Sequence, residues 1–154
     1  MECPRCHDVE LKVTNHLGIE VDQCPKCKGM WLDHHEMDEL EDRVFNEDHR
    51  KGTMEYSKRG SDISCPKCQG LMTTFNYRAY DLPIDFCDAE HGFWLDEGEE
   101  KRVLEVMQSR KKDLVRSETA EGQWVGFLKG LKGQKSPSSG GIIGKVKGLF
   151  KGKG

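Results

Sequence analysis

The sequence predicts a small metal-stabilised α+β fold. Two β-hairpin units with paired cysteine knuckles, each followed by a helix, precede a flexible basic C-terminal tail. Three observations lead there. A ten-residue stretch occurs twice, as Cys24-Pro-Lys-Cys27-Lys-Gly29-Met-Trp31-Leu32-Asp33 and as Cys87-Asp-Ala-Glu90-His91-Gly92-Phe-Trp94-Leu95-Asp96. A Cys-Pro-x-Cys pair precedes each copy, Cys3 with Cys6 and Cys65 with Cys68. The residues are only 35% hydrophobic and 33% charged, which argues against one large core, and units below about 70–80 residues need staples.

The first unit covers residues 1–47. Seventeen residues separate Cys3-Pro-Arg-Cys6 from Cys24-Pro-Lys-Cys27, the spacing of a four-cysteine zinc site. Zinc takes four ligands tetrahedrally, and a two-residue gap lets one tight turn offer two sulfurs to one ion. Gly29 suits a turn that needs an open backbone conformation. Two facing turns require a hairpin between them. Val9, Leu11 and Val13 alternate on the way out, Asn15 to Gly18 reads as the turn, and Ile19 and Val21 alternate on the return. Asp33 with Glu36 forms a capping box for a short helix carrying Met37, Leu40 and Val44. His34 and His35 are neighbours that cannot face one ion together and read as solvated. The polar stretch 48–62, with two glycines and no period, reads as a linker.

The second unit covers residues 63–118. Cys65-Pro-Lys-Cys68-Gln-Gly70 is a complete knuckle, Leu71 to Tyr80 and Ile84 to Phe86 supply the strands, and Cys87 provides a third ligand. Glu90 stands where Cys27 stands in the first copy. His91 is the expected fourth ligand, because soft sites combine cysteine with histidine more than with carboxylate. Glu90 is its competitor, and three ligands plus water would instead give a catalytic zinc. The expected donor sets are therefore Cys3, Cys6, Cys24, Cys27 and Cys65, Cys68, Cys87, His91, for two structural Zn2+ ions. Asp96 and Glu99 repeat the capping box, and a helix should run to about Arg116 with Val103, Met107, Arg110 and Leu114 on one face. Trp31 and Trp94 are read as covers for the zinc hairpins that pack the helices following them; the competing reading makes them exposed anchors for a partner.

With Cys-Pro-x-Cys followed by Cys-Pro-x-Cys-x-Gly-x-Trp-Leu-Asp, the chain resembles the TFIIB-type zinc-finger (zinc ribbon) family, found mostly in uncharacterised bacterial proteins. The resemblance covers about residues 1–45 and again 63–102. It implies a zinc-ribbon fold with four metal ligands per unit, from which His91 departs. The family takes its name from a transcription initiation factor whose ribbon contacts RNA polymerase. Likeness in a ribbon does not carry that activity over.

Charge is distributed unevenly. The net charge is −3, yet residues 122–154 hold seven Lys and no Asp or Glu, which leaves 17 basic and 27 acidic residues, or −10, in residues 1–121. In residues 119–154, Trp124, Val125, Phe127, Leu128 and Leu131 gather on one side of a helical wheel. A Ser/Pro/Gly joint follows, and Ile142 to Lys151 repeats the amphipathic design. Such segments suit an interfacial helix on a membrane or a peptide for a partner's groove. Their glycines oppose helix in water, so folding on contact is expected. Seven cysteines, an odd number, argue against a closed disulfide set. With Cys3 where a secretory signal would begin, the expectation is a cytoplasmic protein, peripheral at the inner membrane surface if the tail binds lipid. The function expected is that of a non-enzymatic adaptor without a small-molecule substrate. Its ribbons present an acidic, tryptophan-bearing surface and its tail recruits a membrane or an unidentified protein. The alternative is a transcription-related factor contacting RNA polymerase or nucleic acid. Phosphate binding needs clustered Lys and Arg, which only the tail supplies.

Overall fold

The computed structural model describes residues 1–133. They contain nine strands and three helices, in two compact units: Met1–Leu114, and a second beginning at Val115. The first unit is built on one seven-stranded sheet. Its strands are β3 (Lys12–His16), β4 (Ile19–Gln23), β5 (Met30–Leu32), β6 (Glu55–Ser64), β7 (Leu71–Tyr77), β8 (Pro83–Phe86) and β9 (Phe93–Leu95), in the order β3-β4-β5-β9-β8-β7-β6. Strands β1 (Glu2–Cys3) and β2 (His7–Glu10) form a separate ribbon around the first knuckle.

The expected hairpins are present, and they are not independent. Strand β5 of the first copy pairs antiparallel with β9 of the second, placing Trp31 opposite Trp94, Met30 opposite Leu95 and Leu32 opposite Phe93. The two copies are halves of one sheet. Side chains alternate across a strand, so Met30, Leu32, Phe93 and Leu95 enter one cluster while Trp31 and Trp94 enter the other. The first cluster is a core shared by both copies and roofed by helices α1 (His34–Asp42) and α3 (Glu99–Gly133), through Met37, Leu40, Val103, Val106 and Met107. Low apolar content argues against one large core; pooling the inward faces of two hairpins supplies it. The second cluster holds the tryptophans with Cys3, Cys24, Cys65 and Cys87. The tryptophans therefore cover the metal sites but do not pack on the helices, which lie over the opposite face. Trp31 is 1% exposed and Trp94 0%, so neither forms part of a partner surface.

Local chemistry explains the element ends. Asp33 accepts from the Glu36 N–H at 2.8 Å, and Glu36 accepts from the Asp33 N–H at 2.7 Å, completing the first capping box. In the second copy Glu99 accepts from the Asp96 N–H at 2.9 Å, while the Asp96 carboxylate turns to Trp94 Nε1 at 2.9 Å and to Arg5. In the first hairpin Leu17 and Gly18 have φ of 55° and 82°, as a primed turn requires. Val13 is 69% exposed: its register opposite Asp22 puts it on the other face from the buried Ile19 and Val21.

Two stretches differ from expectation. Residues 48–62 are not a linker: Asp48–Lys51 forms one helical turn, α2, and β6 forms an outer strand on β7. Its mostly exposed residues show no alternation, because an outer strand here is held by backbone pairing more than by a buried face. Lys51 anchors the turn. It is buried, its Nζ lies 2.6 Å from Asp38, 2.7 Å from Asp42 and 2.9 Å from Asp48, and those carboxylates outweigh burial and hold its pKa above the usual lysine range. Helix α3 does not end near Arg116 but continues to Gly133. The joint and second amphipathic segment expected beyond it lie outside the described residues.

Candidate metal centres

Each centre is built from the ends of a hairpin. The Cys24 N–H bonds the Gly29 carbonyl at 2.9 Å, the Cys65 N–H the Gly70 carbonyl at 2.8 Å, and the Cys87 N–H the Gly92 carbonyl at 3.0 Å. These closures fix the knuckle loops. The residue that follows the second cysteine of each Cys-Pro-x-Cys pair takes positive φ: His7 at 50°, Lys28 at 61° and Gln69 at 60°. The left-handed residue in the Cys24–Cys27 knuckle is therefore Lys28. Gly29 is needed for another reason: a Cβ there would lie 2.3 Å from Trp94 Cζ2. The relation is mutual, since a Cβ on Gly92 would sit 3.0 Å from Trp31 Cζ2 and 2.3 Å from the Leu32 carbonyl oxygen. Each tryptophan lies on the other copy's knuckle.

Cys3, Cys6, Cys24 and Cys27 place their sulfurs within 4.8 Å of one another, and Cys65, Cys68, Cys87 and His91 do the same with three sulfurs and a ring nitrogen. Cys3 and Cys27 sulfurs are 3.6 Å apart, as are those of Cys68 and Cys87. His91 Nδ1 lies 3.4 Å from Cys87 Sγ and 3.8 Å from Cys65 Sγ. A tetrahedron with zinc–sulfur bonds of about 2.3 Å has edges of about 3.8 Å, whereas a disulfide requires about 2.05 Å. All seven cysteines are free. The donor sets fit zinc.

The fourth knuckle turns one residue early. The Glu90 N–H bonds the Cys87 carbonyl at 2.9 Å, a three-residue closure, where Lys28 and Gln69 close on Cys24 and Cys65 over four residues. Glu90 takes the left-handed conformation, φ 58°, and the imidazole of His91 joins the donor set. The copy thus keeps its loop length although its ligand comes one residue later.

Electrostatics also suit a cation. The Cys6 N–H points at Cys3 Sγ (3.4 Å), the Cys27 N–H at Cys24 Sγ (3.5 Å) and the Lys67 N–H at Cys65 Sγ (3.3 Å). Burial pushes the Cys3 thiol up to about 12 and the Cys65 thiol up to about 11. Burial also acts to raise Cys24, but backbone N–H groups and neighbouring thiols bring it down to about 7. The Gly70 N–H brings Cys68 down to about 7. Sulfurs packed this closely repel as thiolates, and a divalent ion is what lets all of them ionise.

Neither His34 nor His35 joins a metal group, and His35 pairs instead with Glu39 at 3.2 Å. Asp38, Asp42 and Asp48 also converge, but the Lys51 ammonium fills their centre. Sequence reading missed Arg5. From the first knuckle it reaches Asp96 at 2.9 Å and Asp85 at 3.4 Å in the second copy, and Asp62 on β6 at 3.1 Å. Nothing local to residue 5 signals those partners.

Residues 2–43 match the family model described as Transcription factor zinc-finger, a TFIIB-type zinc ribbon. No curated protein and no solved structure matches the chain. The fold and donor sets define a zinc-binding module with two ribbons. The TFIIB-type model matches the first ribbon, and the second rests on its own Cys3His cluster and on the repeated hairpin.

Proposed function

We propose that this chain is a non-enzymatic interaction module. Two structural zinc ions staple the double ribbon into a rigid body, and the basic C-terminal segment recruits the module to a partner surface. The observation that carries the reading is closure: four protein donors converge at each centre, and a full tetrahedral set leaves no position for substrate or activated water. Structural zinc contributes on the order of 10 kcal/mol to folding in small units.

Metal content tests this reading. The full chain should bind two zinc ions, and chelation should unfold residues 1–114, seen as loss of near-ultraviolet circular dichroism from Trp31 and Trp94. His91→Ala should reduce the stoichiometry to one, and Glu90→Ala should keep two. Hairpins that persist after metal removal, or retention of both ions by His91→Ala, would refute the structural role or the ligand set.

The description of the family matched by residues 2–43 favours a second reading, a transcription-related factor that contacts RNA polymerase or nucleic acid. Capture of purified polymerase by the zinc-loaded chain, or DNA binding that weakens steeply with salt, would select it.

A further inference from the structure

The part of α3 beyond Val115 carries an apolar stripe that nothing among the described residues covers. Trp124 is 60% exposed, Phe127 56%, Leu128 39% and Leu131 53%. Positions i, i+3, i+4 and i+7 share one helix face. The Trp124 and Phe127 rings stack with centroids 5.6 Å apart and planes 28° apart. Gly122, Gly126 and Gly130 lie on the opposite side, where a Cβ on any of them would meet nothing within 4 Å. No close approach explains these glycines, and each weakens the helix relative to alanine. A helix so built gains from an external surface on its apolar side.

Charge selects that surface. Residues 122–154 hold seven Lys and no acidic residue. A second copy is a poor occupant: the stripe from Trp124 to Leu131 spans one heptad, against the three or four that sustain a coiled coil, and pairing would bring like-charged segments together. A protein groove accepts the same spacing but gives no reason for seven lysines without a counter-charge. An anionic bilayer answers both features. Trp and Phe settle at the headgroup boundary, and a segment with seven Lys and no acidic residue is drawn to anionic headgroups. We propose that the Trp124–Phe127–Leu128–Leu131 face docks the chain on an anionic lipid surface, lying in the interface. Among the described residues no helix is long and apolar enough to cross a membrane. The proposal deepens the reading of a recruited module and rests on it.

The test is co-sedimentation of the zinc-loaded full chain with vesicles of phosphatidylglycerol and phosphatidylcholine, and with phosphatidylcholine alone. Tryptophan emission is followed at low and high salt. Since Trp31 and Trp94 are already buried, a blue shift reports Trp124. The expected result is binding to the anionic vesicles with a blue shift. Salt and the neutral vesicles should each weaken it by about tenfold or more, and the Phe127→Glu/Leu131→Glu variant should lose it while still holding two zinc ions. Absence of anionic binding, equal binding to neutral vesicles, or full binding by the variant would overturn the proposal. So would self-association that the same substitutions abolish, or a purified protein partner that protects Trp124 where vesicles do not. A lipid failure with two zinc ions and zinc-dependent folding intact leaves the module reading standing; loss of zinc dependence removes that reading.

Discussion

Gly29 and Gly92 mark the points where the copies touch most closely, each beneath the other copy's tryptophan. At Gly29 the constraint is steric, since the backbone there is not left-handed. Gly29→Ala should therefore cost about 1–3 kcal/mol, as overpacking does, read as a lower denaturant midpoint at saturating zinc. Gly70 is the control: its Cβ would meet only Cys68 Sγ, at 3.4 Å, so Gly70→Ala should cost far less. Equal losses at the two positions would mean that knuckle geometry, not the tryptophan, demands glycine. The tryptophans themselves are not equivalent. Trp94 Nε1 donates to Asp96, whereas Trp31 Nε1 is buried without a hydrogen-bond partner among the described residues. Asp33 and Asp96 occupy matching positions and do different work: Asp33 caps its helix, and Asp96 is drawn off by Trp94 and Arg5.

At the scale of elements, the start of α3 carries a pH dependence. Burial pushes the Glu99 carboxyl up to about 7, against the Asp96 N–H bond that favours its charge, and Asp96 and Asp85 add to the rise. An unfolded glutamate titrates near about 4.3. Between those values the folded chain keeps a proton that the unfolded chain has released, so this group makes stability fall as pH rises across the window. Glu99→Gln retains an oxygen for the Asp96 N–H and removes the titration. The wild type minus Glu99→Gln stability difference should decline from about pH 4.3 to about pH 7 and level off above it. Zinc release at low pH affects both proteins alike, and a flat difference would place the Glu99 carboxyl in water. The short α2 is held differently: three carboxylates around the buried Lys51 fix a turn that its length alone could not sustain.

Across the whole of residues 1–114, a buried polar group ties one copy's helix to the other copy's strand. Arg78 donates to Glu41 at 2.7 Å and to the Gly52 carbonyl at 2.6 Å, and the Tyr77 hydroxyl, its pKa raised by burial, donates to Glu41. Glu41→Ala should cost about 3–5 kcal/mol, because it leaves a guanidinium buried and unpaired. A double-mutant cycle with Arg78→Ala should show strong coupling between the two. Additive losses would mean that the pair is solvated.

The same contacts show what the sequence made legible. Cysteine spacing, capping boxes and hairpin turns are fixed within a few residues, and the donor sets were readable from them. So was the gathering of His91 with Cys65, Cys68 and Cys87, from the preference of soft sites for histidine over carboxylate. The β5–β9 seam, the Arg5 contacts and the Glu41–Arg78 pair join residues far apart in the chain, and no local period announces them. Glycines at 122, 126 and 130 argue against helix by propensity, yet α3 runs through them.

The seam has a further consequence. Because β5 and β9 come from corresponding segments of a repeated unit, the joined ribbons have the logic of a homodimer whose subunits share one chain. Residues 43–54 keep the two edges at an effective concentration that free monomers would seldom reach. Sequence drift then becomes affordable on one side at a time: His91 can replace a cysteine and Asp96 can abandon its cap, because no substitution is copied into its counterpart as it would be in a true dimer.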